Sequence, residues 1–191
     1  MRYTPDHKRE TRRRIIACAA RRFRDEGFGA SVAEIMSDAG LTHGGFYAHF
    51  GSKEVLFAEA IAHAADEGLT ARTPAGEPRG GEWLGAFVSL YLNEQHRSDR
   101  AGGCPLAALG GDVARGGDLP RASYGASVAC FADALAARLD GPEQWRQDTA
   151  RTVMSLCVGA LVLARAGMDR HEARALFEAC RHTAVRLGEA R

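Results

Sequence analysis

Between Ser31 and Glu54 the chain gathers side chains whose shared chemistry is hydrogen bonding to anions and to flat polar edges. Thr42 offers a hydroxyl and an amide at the start of a short helical stretch, where the helix dipole also favours negative charge. Ser31 stands before a first short helix, and His43, Tyr47, His49 and Lys53 supply further donors in and after the second. Gly44 and Gly45 carry no side-chain bulk, so backbone there can approach a base edge or a thymine methyl. Two glycines in a short helix cost about 1 kcal/mol each against Ala, a sacrifice that suggests close approach to something outside. Phosphate contacts fix register and base contacts specify. These residue types, in this order, imply recognition of duplex DNA.

Such residues need a scaffold. Residues 31–50 read as two short helices joined by a tight turn at Ala39-Gly40-Leu41, a helix-turn-helix. Ser31 with Glu34 three residues later forms a capping-box pattern for the first. Thr42 caps the second, which runs to about His49. Before them, Ile15, Ile16, Ala19, Ala20 and Phe23 recur at helical spacing over about 8–25, with arginines opposite and Gly27 as a stop. Arg12 and Arg14 add contacts from this helix. Ile35, Met36 and Ala39 should face it, and Phe46 and Phe50 belong to the core. Ser52 caps a fourth helix, about 52–67, with Val55, Leu56, Ala60, Ile61 and Ala64 on its apolar side.

Charge follows the same division. Net charge is only +1, yet residues 1–53 hold ten Lys/Arg against six Asp/Glu, while the remainder is acidic. That polarity orients a protein on DNA. The five cysteines are widely spaced with no C-x-x-C pair, so neither a disulfide framework nor a zinc site is expected. No signal peptide opens the chain and no apolar run approaches membrane length, which predicts a cytoplasmic protein without membrane contact. Residues 73–81 read as a loop, followed by helices at about 82–97, from Cys104-Pro105 to Gly116, and at about 119–139, 143–166 and 169–188. The expected fold is all-α, with about nine helices: an N-terminal helix-turn-helix module at 1–55 and a helical bundle at 56–191.

Thr11-Arg12, Ile15, Phe23, Gly27-Phe28, Ile35, Ala39-Gly40, Tyr47, His49-Phe50 and Lys53-Glu54 together resemble the TetR/AcrR family of bacterial transcriptional regulators. Two positions depart from its pattern: His43 stands where a basic residue is usual, and Gly45 where Thr or Ala is. The resemblance implies a homodimer on a palindromic double-stranded DNA operator, most often as a repressor. It also implies that 56–191 binds a small-molecule effector and dimerises through the last two helices. Residues 153–164 are apolar nearly all round, and Leu176, Phe177, Cys180, Ala184 and Leu187 make one stripe.

Trp83, Phe87, Tyr91, Tyr124, Phe131 and Met154 compose an apolar pocket suited to a hydrophobic or aromatic effector. Cys104, just before Pro105 at a helix start, belongs with them and suggests an alternative, a redox- or electrophile-sensing regulator. No hydrolase, nucleotide-binding or metalloprotease motif is present, so an enzyme, a cofactor and a metal site are not expected.

Overall fold

Ile15, Ala19, Ala20 and Phe23 are fully buried along one side of α1 (Pro5–Glu26), as their spacing requires. The computed structural model describes residues 5–73 and 79–189; among these the chain is all-α, with nine α-helices, two 3-10 helices and no strand. Part of the expected loop at 73–81 lies outside the described residues. Gly27, at φ 76°, ends α1 and opens the 3-10 turn Gly27–Gly29. α2 (Val32–Asp38) turns Ile35 and Met36 inward. It closes with Leu41 N–H donating to Met36 O and Gly40 N–H to Ser37 O, both at 2.9 Å, around Gly40 at φ 69°. This is a Schellman motif, in which only glycine adopts the required backbone without strain.

The second helix of the pair is a 3-10 helix, His43–Ala48, and not the expected α-helix. Gly44 and Gly45 favour helix poorly, and six residues leave little room for a ladder of i to i−4 bonds. The expected Ser31 cap is also absent: its backbone is extended, but its hydroxyl accepts nothing from α2. Glu34 instead faces Arg22, which binds Asp38 and Glu26 as well. Ser52 does cap α3 (Lys53–Arg72), its Oγ accepting from Val55 N–H at 3.2 Å.

The single helix expected over 82–97 is two, α4 (Gly80–Tyr91) and α5 (Glu94–Ser98). Asn93 makes the break, since its Oδ1 accepts from His96 N–H at 2.8 Å and restarts the chain as a new helix. α6 (Pro105–Arg115) follows with Pro105 in its first turn, then α7 (Asp118–Ala136), α8 (Glu143–Gly167) and α9 (Arg170–Glu189).

These elements form two compact units that do not follow chain order. One takes the residues up to Glu67 together with Cys104–Ser127; the other takes Gly68–Gly103 and the residues from Val128 on. In the first, Ile15, Phe23, Ile35, Met36, Phe46, Phe50, Leu56 and Phe57 share a core with Leu109 and Val113 of α6. In the second, α4 lies so close to α9 that a methyl group on Gly81 would stand 2.5 Å from Val185 O. Two arginines there close each other's helix ends. Arg97 donates to Ala164 O and Met168 O, while Arg165 donates to His96 O, Arg97 O and Asp99 O. α8 is, by length and composition, apolar enough to cross a membrane, which corrects the expectation that no such stretch exists. Its buried side, Val153, Cys157, Ala160, Leu161 and Ala164, is core.

Candidate nucleic-acid interface

Phe46 and Phe50, each 2% exposed and stacked 5.8 Å apart, pin the 3-10 segment to the core. That leaves the intervening side chains no choice but to face outward. Tyr47 is 73% exposed, the most exposed large apolar side chain among the described residues, with its ring edge-on to Phe46. Thr42, His43 and Gly44 are exposed and Gly45 is half-buried. A methyl group at Gly44 would meet nothing within 4 Å, and one at Gly45 only the Met36 methyl at 3.7 Å. Neither glycine has a positive φ. The fold itself therefore has no use for these two glycines. Ser31 is exposed at the mouth of α2, beside the same surface in sequence but without a bond of its own to that helix.

The cations around this segment differ in how they are held. Arg12 makes a two-pronged bond with Glu59, each N–O distance 2.5 Å, and lies 4.6 Å over the Phe50 ring. Lys53 sits 4.8 Å over the Phe28 ring, where burial lowers its pKa below the ordinary lysine value. His49 is half-buried, with Nδ1 inaccessible and unbonded. Burial first, then Lys8 and Arg12, depress its pKa, so its ring favours the neutral form. Lys8 is exposed, one turn before Arg12, and near enough to act on His49. Sequence reasoning passed over Lys8, although its spacing of four from Arg12 was a signal.

Five of the seven residues expected to line a pocket fall in the second unit and two in the first. Trp83, Phe87, Tyr91 and Phe131 pack ring against ring at 5.5–6.0 Å in the second unit, and Met154 is buried in that unit too. Trp83 Nε1 is buried there with no hydrogen-bond acceptor, beneath the Arg138 guanidinium. Cys104 and Tyr124 belong to the first unit, where Tyr124 donates to Leu106 O at 2.8 Å and Cys104 is 6% exposed at the start of α6. The second unit's described grooves lie elsewhere. One of about 550 Å³ runs between α8 and α9, past Leu156, Gly159, Leu163, Leu176 and Cys180. Another of about 570 Å³ has Leu92 and Phe177 as its apolar lining and Arg170 and Arg174 among its charged residues.

Known proteins share this arrangement. Residues 15–60 match the family described as bacterial regulatory proteins, tetR family. The uncharacterized HTH-type transcriptional regulator YdgC of Bacillus subtilis (strain 168) is 47% identical over 53 residues, 27% of this chain and 27% of that protein. The match thus spans about a quarter of that relative's length. An uncharacterized HTH-type transcriptional regulator of Mycobacterium tuberculosis (strain H37Rv) is 28% identical over 169 residues, 83% of this chain and 86% of that one. A solved structure of a TetR-family transcriptional regulator from Cytophaga hutchinsonii superposes with a TM-score of 0.78 at 22% identity, covering all of both chains. That last likeness is one of fold.

Proposed function

We propose that the chain is a DNA-binding regulator of transcription of the tetR family, whose model matches residues 15–60, and that it is a cytoplasmic repressor acting as a homodimer. Two recognition segments occupy successive major grooves of a palindromic operator, and a small hydrophobic effector releases them. The observation that carries this reading is Tyr47, 73% exposed between two buried phenylalanines, beside glycines the fold does not require. Thr42, Tyr47, His49 and Lys53 hold phosphates; His43, Gly44 and Gly45 lie against base edges; Ser31 and Arg12 flank them.

Groove-to-groove spacing of about 34–36 Å demands two copies. The face of α8 and α9 that carries exposed Val162 and Leu163 and the open Gly159 supports self-association, since no described side chain covers it. Burial against a second copy is also a better use of α8's apolar length than lipid. Effector release needs a coupling of about 1–3 kcal/mol, and DNA must weaken the effector by the same factor. The alternative, a redox regulator working through Cys104, starts from a thiol only 6% exposed.

The test is selection of duplexes from a random-sequence pool by the purified protein, followed by footprinting. A palindromic consensus with two protected half-sites is expected. Failure to enrich any duplex over the starting pool would remove the reading.

A further inference from the structure

Asp112 of α6 is 84 residues from Phe28 in sequence, yet its Oδ2 accepts the Phe28 backbone N–H at 3.3 Å. The contact is close because residue 27 has no side chain: a methyl on Gly27 would stand 2.6 Å from the same oxygen. Gly27 also has the positive φ that presents the next amide to α6. Asp112 Oδ1 is held in turn by Arg115 at 3.2 Å. The Phe28 ring packs 5.0 Å from Phe57 and 6.4 Å from Phe23, and its exposed side carries the Lys53 ammonium at 4.8 Å. Just past α6, a methyl on Gly117 would lie 3.5 Å from the Glu54 carboxylate, so the end of α6 flanks the start of α3 as well.

We propose that Asp112 is a positioning residue of the DNA-binding surface: by fastening the Phe28 amide it fixes the ring on which Lys53 rests, and so fixes where that ammonium meets a phosphate. The inference rests on the DNA-binding reading above. Its physical basis is that a lysine is a flexible point charge, and a ring beneath it restricts the positions from which it reaches out. Leu109, about one helical turn before Asp112, and Val113, the residue after it, are buried in the same core and hold α6 in register.

The experiment uses full-length protein and a duplex selected by the parent from the random pool. If the parent selects none, the functional reading fails and Asp112 is not in question. Given a selected duplex, affinity is measured at several salt concentrations for the parent, Lys53→Gln, Asp112→Ala, Asp112→Asn and the double variant Lys53→Gln/Asp112→Ala. Loss of one phosphate contact per recognition segment lowers the salt slope by about one each. Asp112→Ala should reproduce the Lys53→Gln loss of roughly tenfold and its reduced slope, and the double variant should bind no worse than Lys53→Gln alone. Asp112→Asn, which keeps an acceptor oxygen in place, should restore the parental slope. A parental slope for Asp112→Ala, or additive losses in the double variant, would overturn the proposal. Should Asp112→Ala fail to fold, Asp112→Glu decides: a reduced slope supports the assignment and a parental one sinks it.

Discussion

Arg12 and Glu59 face each other across α1 and α3 in a two-pronged bond, so the arginine that lies over the Phe50 ring is already engaged by a carboxylate of its own chain. Its charge reaches DNA only in competition with Glu59. Exchange of Glu59 for Gln should release it. The expected outcome is tighter binding to duplexes of any sequence and a salt slope steeper by about one per subunit, measured by fluorescence anisotropy. Weaker binding would mean that Glu59 is needed to aim the guanidinium. Because both side chains are about a third exposed, the melting temperature should move little.

Gly44→Ala separates folding from recognition. With empty space around the new methyl and a negative φ, the variant should be more stable than the parent by about 0.4–1 kcal/mol. Its sequence preference in the random-pool selection should nevertheless change, because the methyl occupies the face presented to bases. An unaltered consensus would show that this glycine is not at the base edges.

Binding should also depend on pH through His49. Burial and the charges of Lys8 and Arg12 disfavour its protonated form in the free protein. Phosphates brought beside it favour that form, so complex formation takes up a proton. Affinity should rise as pH falls below the ordinary histidine value near 6.5, and His49→Gln should abolish the rise. Calorimetry in buffers of different ionisation enthalpy counts the proton directly; a count of zero at pH 6 would discard the mechanism.

Stability should move the opposite way with pH. His96 donates from Nδ1 to Tyr91 O at 2.6 Å and is buried beneath the α4–α5 junction; burial, then Arg72, push its pKa down to about 4. The unfolded chain takes its proton near 6.5, before the native one does. The contribution is therefore intact above 6.5 and is lost as pH falls from there toward 4, by about 3 kcal/mol. Urea midpoints for the parent should drop across this window, and His96→Gln should flatten the profile. An equal drop in the variant would assign it to other groups.

The dimer surface has a direct test. Leu163 is 55% exposed on α8, so a charge there costs the single chain little and the proposed dimer much. Sedimentation of Leu163→Glu at micromolar concentration should show monomer, with DNA affinity falling accordingly. A monomeric parent would end the two-groove model.

The helix-turn-helix was legible because its signals are local: apolar spacing in α1, the glycine stop at Gly27, the turn at Gly40 and the Ser52 cap. The 3-10 form of the second helix was not, since Gly44, Gly45 and the short span weaken an α-helix there without specifying what replaces it. The break at Asn93 was hidden by the stripe of Trp83, Phe87 and Tyr91, which continues in helical register up to it. Ring composition suggested that Trp83, Phe87, Tyr91 and Phe131 are neighbours, and they do pack ring against ring in the second unit. Asp112 gave no signal at all. Its partner is an amide brought near by tertiary packing, and nothing in the residues around either one marks the pair.

Leu109 and Val113 complete the core of the helix-turn-helix unit, yet the ribosome reaches them some forty residues after it has finished Glu67. At about 5–20 residues per second, the nascent helix-turn-helix waits several seconds with the apolar ground meant for α6 uncovered. A truncated chain ending at Glu67 would keep that state permanently and should aggregate or melt far below the intact protein. Each new copy thus completes the core of its helix-turn-helix unit only after more than half of it has been made.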